Sequence, residues 1–516
     1  MTAYLRPGVY VQETLNPVAP IVGANSDSVA AFIGANGRGP ATPTLVTSWS
    51  DYLNKFGGWN GDNKLPLAVF LFFANGGSQA YVQRVTAGSP AAAAKQFLDR
   101  SDSPGQNTLQ LQAANYGTWG NASAGGISVA IQDSPGVTGY FDLIVYFGGV
   151  ANSNKVESFT NLSMTPSDPR YAVYVINAQS AYLSAFDSGA TSTGATRNPA
   201  VVAASAGGLS GGANGSAIVS TDIAGAINAF DTVTQSLILN APGVTDATSV
   251  NLITAYAAAR NDVFVVIDPV NDTVANQISL AATYTPTSYA AVYYPPITIN
   301  DPTNTTPGTV IQYANPGGAI VGKYAATDKS RGVFKAPAGL DTRIGGAVSV
   351  APLTNANLDA LNSASVPVNA IRFISGSGIV VMGARTLKAG YGDMYIPARR
   401  TLIYLEKALV DLTNFAIFEP NDTVLYRRIT AIVTNFLNKF WAQGGLRGTL
   451  PQQAFFVLCD TSNNTLGTVE AGQVNIQVGV ALQRPAEFVV INIGQFDGGT
   501  TEISGPPSPT FILEYF

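Results

Sequence analysis

Histidine is absent from all 516 residues, cysteine occurs once, and Asp, Glu, Lys and Arg together make up only 11% of the chain. Without imidazole there is no Ser-His-Asp or Cys-His relay, no zinc site built on His, and no H-E-x-x-H protease. The single cysteine, Cys459, excludes an internal disulfide and any Cys-cluster metal site. So low a charge content, against a typical share of about 25%, leaves Ser, Thr, Asn, Gln and backbone to form the polar surface, which is cheap to desolvate. The 27 basic and 32 acidic residues give a net charge of −5, which opposes phosphate binding by counterion release, so no nucleic-acid partner is expected. Long apolar runs are missing too. The longest, from Leu65 to Ala74, is about half the roughly 18–20 residues of a membrane span. The opening residues Met1 to Tyr10 lack a basic stretch followed by an apolar one, so neither membrane insertion nor export is expected.

What is present suffices for several packed cores. Hydrophobic residues are 46% of the chain, within the ordinary range, and the length corresponds to about three to four domains of roughly 150 residues. From Ser28 to Ile299, apolar strand-like runs (Val29 to Ile33, Ala80 to Val85, Ser236 to Leu239, Val263 to Ile267, Tyr289 to Tyr294) alternate with helix-like segments (Leu65 to Asn75, Asp222 to Thr232, Ala247 to Arg260, Val274 to Ala282). That alternation predicts a layered α/β domain with a largely parallel sheet. Thr221 is placed to cap the second of these helices, and Thr245 and Asp246 the third. Between Pro104 and Leu209 the pattern changes to alternating strands (Thr108 to Gln112, Ile127 to Gln132, Phe141 to Phe147) with Gly, Pro and Asn turns, which predicts an antiparallel β insertion projecting from its host. It closes in Ala206 to Ser216, which reads as a linker or exposed loop.

After about Asn355 come two amphipathic helices and then strands. Pro397 opens the first, with a stripe of Leu402, Leu405, Leu409, Leu412 and Phe415. Asn421 is placed to cap the second, whose stripe is Leu425, Ile429, Ile432, Val433, Phe436 and Phe440, with Gly444-Gly445 as its stop. From residue 360 onward basic and acidic residues balance at 11 each, so the whole net charge lies before it. The resulting division is an N-terminal arm (1–27), a middle α/β domain (28–103 and 217–354), a β-rich outer insertion (104–216), an α+β inner domain (355–500) and a C-terminal arm (501–516). Both ends are unusual for chain termini. Tyr4 to Glu13 is β-prone, with Val9, Tyr10 and Val11 at its centre. Thr510 to Phe516 contains Phe511, Ile512, Leu513, Tyr515 and Phe516. Each end has the character of a strand that pairs with a sheet edge in its own or another chain.

Chemistry-bearing motifs are scarce. Gly34 to Pro40 follows a strand but departs from the dinucleotide pattern G-x-G-x-x-G, and Pro40 stands where a helix would have to begin. No phosphate-binding G-x-x-x-x-G-K-[ST] occurs, and Ser375 to Gly378 suits a tight turn. Asp262 and Asp268 flank a strand, the second at the carboxyl end where α/β enzymes place catalytic groups. With no second carboxylate at interpretable spacing it reads as a turn. Cys459 lies in an apolar run as a small inert residue. Arg399 and Arg400 open a helix, against the macrodipole, which calls for partners outside it, in this chain or a neighbour. The expectation is no catalytic, cofactor or metal site.

Several blocks then resemble contractile tail sheath proteins of bacteriophages and related injection systems. They are Pro7 to Glu13, Tyr116 to Asn121, Ser288 to Pro295, Gly322 to Asp328 with Arg331 to Gly339, Val368 to Arg372, Gly383 to Leu387, Arg399-Arg400, Phe418 to Asn421, and Arg484 to Phe488. They fall in order along nearly the whole chain. The resemblance implies a homo-oligomer of stacked six-fold rings around an inner tail tube protein, with baseplate and tail terminator proteins as further partners and no cofactor. It implies arms that complete the inner-domain sheets of neighbours, and passive contraction from an extended to a shorter lattice. It implies a place in the virion tail after synthesis in the host cytoplasm. Tyr324, Arg331 and Lys335 read as part of a shaped loop or subunit contact. Arg427, Arg428, Lys439 and Arg447 give the second helix and its following turn a basic bias suited to an acidic inner tube. A non-viral injection system, a static shell and an α/β enzyme are the alternatives left open.

Overall fold

A computed structural model describes residues 29–59, 63–101, 105–302, 306, 308–390 and 394–487. Both arms, with Val9, Tyr10, Val11 and Phe511 to Phe516, lie outside the described residues.

In chain order, β1 (Val29–Ala35), β2 (Thr44–Val46), α1 (Trp49–Phe56), α2 (Lys64–Ala74) and β3 (Ala80–Val85) start an α/β layer. The chain then leaves it for β4 (Ala94–Leu98), β5 (Asn107–Ala113), β6 (Ile127–Asp133), β7 (Phe141–Phe147), β8 (Lys155–Leu162), α3 (Ala172–Gln179) and β9 (Leu183–Asp187). It returns through α4 (Ser220–Gly225), β10 (Leu237–Asn240), α5 (Ala247–Arg260), β11 (Val263–Ile267), α6 (Val274–Ala281) and β12 (Ala290–Tyr294). There follow β13 (Ile297–Asn300), β14 (Val310–Ala314), α7 (Gly317–Arg331), β15 (Ala347–Val350), α8 (Asn355–Ser363), β16 (Val368–Ile374) and β17 (Gly378–Val381). Last come α9 (Ile396–Thr413), α10 (Thr423–Ala442), α11 (Pro451–Ala454), β18 (Phe455–Leu458), α12 (Leu466–Glu470) and β19 (Gln477–Val480).

The main sheet has eight strands in the order β17-β16-β12-β11-β10-β1-β3-β2. Its six inner strands are parallel and the two outer ones antiparallel. Parallel strands covered on both faces read as continuous apolar runs. Accordingly β10, β11 and β12 are buried at every position. Helices cover the sheet, with Phe72 of α2 edge-on to Phe32 of β1 at 5.4 Å between ring centroids.

Three differences from the sequence expectations concern where units begin and end. First, β4 pairs with β5, and Phe97 sits in the core of the insertion, so the insertion begins before residue 104. Second, β16 and β17 join the main sheet, so the α/β layer continues well past 354. Third, Ala206 to Ser216 is no linker. Bridges at Gly208, Ser210, Ala213 and Gly215 fasten it to Ser128, Ala94, Ala91 and Ala87, so the chain crosses into and out of the insertion side by side.

The helix starts also differ in detail. Val219 rather than Thr221 precedes α4, and its N–H is received by the Asp222 carboxylate at 2.9 Å. Asp222 thus reaches back to an otherwise unpaired donor. Asp422 rather than Asn421 caps α10, accepting from the N–H groups of Val424 and Leu425. Asn421 is used elsewhere, donating to Gln473 O and accepting from the Tyr426 hydroxyl. Asp246 caps α5 as expected.

The largest difference is α7, since Tyr324 and Arg331, which with Lys335 read as a shaped loop or subunit contact, lie within this helix. The glycines that blur the helical signal allow α7 to lie against α2. A Cβ at Gly318 would stand 2.0 Å from Ala68 O, and one at Gly322 2.7 Å from Phe72 O. Helix α9 links two cores, with Ile396 and Ile403 in that of the sheet and Leu405 and Leu409 in one shared with α10 and β18–β19.

Candidate functional site

The resemblance-carrying blocks, scattered in sequence, converge in space. Tyr293 of β12 and Tyr324 of α7 share a hydroxyl–hydroxyl bond of 2.5 Å deep in the core. The ring of Tyr324 lies 4.7 Å from the Arg400 guanidinium, which pairs with Asp328 through both terminal nitrogens. Arg399 stands 4.7 Å from the ring of Tyr289. The paired Arg400 and Asp328 side chains are 3% and 11% exposed. Burial and the neighbouring Tyr324 hydroxyl push the Tyr293 phenol well above its ordinary pKa, so both tyrosines are neutral donors and acceptors. The two arginines that conflict with the dipole of α9 thus find their partners within this chain and fasten α9 to the sheet. Tyr324 is core, not loop. Further along, Val333 enters the core of the helical unit, and Lys335 caps the carbonyls of Ala336 and Ala338.

A second tie starts at Glu487, whose carboxylate accepts from Arg385 Nε and Nη2 in a two-pronged pair, the shortest contact being 2.6 Å. Arg385 Nη1 donates to Asn362 O. Asn369 on β16 holds the backbone of Arg385, accepting from its N–H at 2.8 Å and donating to its carbonyl at 2.7 Å. The same amide nitrogen reaches Val292 O on β12. The blocks 368–372 and 383–387 and Glu487 of the third are therefore one connected unit. Residue spacing contains no sign of this pairing, and the only trace of it is that all three blocks were among those that matched.

Asp268, at the carboxyl end of β11, accepts from the N–H groups of Gly243 and Gly317 and lies near the Asn240 amide. Burial raises its pKa against those hydrogen bonds. Its acceptor capacity is spent on holding the start of α7, a structural duty. Asp262 pairs with Arg260. Cys459 follows β18, buried, its thiol pushed up to about 11 chiefly by desolvation. Among the described residues no cluster of three or more potential metal ligands occurs, and no helix is long and apolar enough to cross a membrane.

The Gly34 to Pro40 turn sits at the joint with the insertion. The guanidinium of Arg38 lies 4.3 Å from the ring of Tyr182, 4.6 Å from Trp119 and 5.8 Å from Phe147. It also donates to Asn54 O. The Tyr116 to Asn121 block thus forms one wall of an aromatic box that takes a cation from the α/β layer.

The helical unit carries two exposed features. Its antiparallel ladder, β18 with β19, has only two strands, and among the described residues neither has a backbone partner on its outer side. The main sheet is covered at its β17 edge and capped at one carbonyl on its β2 edge. The segment 339–344 bonds along β17 at Val381 and Ile379, and Lys55 caps the Leu45 carbonyl of β2. Arg427, Arg428, Lys439 and Arg447 are all exposed, with Arg428 lying over the ring of Phe415 at 4.3 Å. Beside them Phe418 is almost fully exposed at φ +66°, a strained backbone for a bulky residue, and Val424 is exposed on the first turn of α10.

No family model matches the chain, and no curated protein does. Solved structures do. The sheath of an extracellular contractile injection system, PVC, in its contracted state is 24% identical, with 96% of this chain and 99% of that one covered at a TM-score of 0.57. The helical sheath of the anti-feeding prophage, also contracted, is 21% identical over 96% and 100% at 0.57. A sheath tail protein from Listeria innocua is 14% identical over 86% and 90% at 0.59. The mixed α/β architecture is thus that of contractile sheath proteins, as the sequence blocks suggested.

Proposed function

We propose that this chain is the structural subunit of a contractile tail sheath. It polymerises as stacked hexameric rings around an inner tail tube and contracts from a metastable extended state to drive the tube through a host cell envelope. The observation that carries the reading is the two-stranded ladder β18–β19, whose outer sides have no backbone partner among the described residues. An extended segment from a neighbour fits it by strand addition, and the apolar ends around Val9 to Val11 and Phe511 to Phe516 are of that kind. At roughly 1.5–3 kcal/mol for each fully buried large apolar side chain, covering the last six residues supplies several kcal/mol per junction before ordering costs. Energy for contraction then comes from the lattice, and no catalytic residue is required.

Within this reading Arg427, Arg428, Lys439 and Arg447, flanked by Phe418, face the tube, and the β-rich insertion faces outward, dispensable for polymerisation. Baseplate and terminator proteins close the two ends of the assembly, which forms the tail of a virion made in the host cytoplasm. The same subunit role in a non-viral injection system is the second reading, favoured by likeness over nearly the full length to the sheath of an extracellular contractile injection system.

Deleting Thr510 to Phe516 tests the proposal. The shortened chain keeps its circular dichroism and melting profile but no longer forms tubes in negative-stain images. A shortened chain that still polymerises, or one that unfolds, removes the donated strand from the mechanism.

A further inference from the structure

Between the α/β layer and the insertion lies a cleft of about 270 Å³, whose walls include Arg84 and Thr86 from one side and Gln112, Tyr116 and Ser184 from the other. None of its lining residues is Asp or Glu. Arg84, on β3, is only 2% exposed. Its Nε donates to Asn36 O at 2.7 Å and its Nη1 to Tyr116 O at 2.6 Å, both neutral acceptors. Among the described residues its guanidinium has no carboxylate partner, and Nη2 bonds to no protein atom and is not sealed from the cleft. Among the described residues the side chains of Thr86, Gln112 and Ser184 likewise make no hydrogen bond. A guanidinium desolvated without an opposing charge is held less firmly to its proton, and that of Arg84 is brought down to about 10. Arg38, whose partners are aromatic faces and the Asn54 carbonyl, is a second buried cation of the same joint. A buried cation whose acceptors are neutral carbonyls, in a cleft lined by no Asp or Glu, favours an anion, because an uncompensated buried charge is costly.

We propose that this cleft binds a small oxyanion, held by the Arg84 guanidinium with the Thr86 and Ser184 hydroxyls and the Gln112 amide as further donors. A guanidinium with its Nη2 unpaired can donate a charge-assisted hydrogen bond to a phosphate or carboxylate oxygen. Because Arg84 and Thr86 belong to the layer while Gln112 and Ser184 belong to the insertion, the bound anion bridges the joint and fixes the insertion against its host. The site is independent of the sheath reading.

Calorimetric titration of the full chain with inorganic phosphate, and separately with acetate, at constant ionic strength tests the site. One saturable site per chain is expected for at least one anion, and the stronger of the two identifies phosphate or carboxylate as the natural group. Arg84→Gln is expected to weaken binding about tenfold or more, and Thr86→Val with Ser184→Ala about fivefold, in keeping with loss of charge-assisted and neutral hydrogen bonds respectively. No saturable binding of either anion, or affinity unchanged in Arg84→Gln, overturns the proposal. Should Arg84→Gln fail to fold, the Thr86→Val, Ser184→Ala double variant decides it, and unchanged affinity there overturns it equally.

Discussion

Removing Asp328 is the sharpest perturbation of the contact between sheet and helical unit. Its carboxylate receives both terminal nitrogens of Arg400, a side chain 3% exposed whose only other contact in this network is the ring face of Tyr324. Asp328→Ala leaves a guanidinium buried and unmatched, a class of change that costs about 3–5 kcal/mol. At roughly 2–4 °C per kcal/mol for a cooperative unit of about 150–250 residues, melting falls by about 6–20 °C. Replacing both partners, Asp328→Leu with Arg400→Met, removes the charge along with its counterpart and is expected to recover at least half of that loss. Differential scanning calorimetry is the assay of choice, because the insertion has its own core and its transition serves as an internal reference that should not move. A loss below about 1 kcal/mol for Asp328→Ala, or a double variant as unstable as the two single effects added, would refute the assignment of this pair as a buried, coupled tie.

Three further outcomes are expected. Gly318→Ala places a methyl 2.0 Å from the Ala68 carbonyl, and separating α7 from α2 should cost about 1–3 kcal/mol in denaturant melts; an unchanged midpoint would mean the helices part freely. Asp99, in the insertion, is held down to about 2 from its usual 3.8 by hydrogen bonds from the Ser101 and Ser192 hydroxyls and the Gln106 N–H. Its contribution is complete above the unfolded value and is lost as pH falls through the folded one. Asp99→Asn should therefore flatten the acid limb of insertion stability between about pH 4 and pH 2, and an identical slope would place the acid sensitivity elsewhere. Charge reversal at Arg427, Arg428, Lys439 and Arg447, all exposed, should leave melting within about 0.5 kcal/mol per site. It should weaken co-sedimentation with the tube protein, less so at high salt; full co-assembly in all four variants would move the tube contact off this face.

The parallel sheet was readable because strands buried on both faces are largely apolar runs, and β11 falls where such a run begins and ends. Helix α5 was equally plain, with Asp246 as its cap. What escaped depends on partners distant in sequence. The role of β4 is set by pairing with β5, and that of β16 by pairing with β12 across 76 residues at Val292 and Val368. Helix α7 was obscured because glycine weakens a helical signal locally while permitting close packing that only its neighbour reveals. Of the candidate site, the basic face of α10 was legible as charge, while the Arg385–Glu487 pair was not, since neither residue is unusual until the fold brings them together.

That pair also sets the path of mechanical tension. Any pull on the chain beyond residue 487 reaches Glu487 first and passes through a two-pronged contact to Arg385, whose backbone is gripped at both its N–H and its carbonyl by Asn369. From Asn369 the force enters β16 and, through Val292, β12, the two parallel strands at the β17 side of the sheet. Part of the traction is thus delivered to the parallel sheet, alongside the covalent path back through residues 481–487 to the small ladder β18–β19. A pull from beyond residue 487 would accordingly be shared between the sheet and the helical unit instead of falling on the β18–β19 ladder alone.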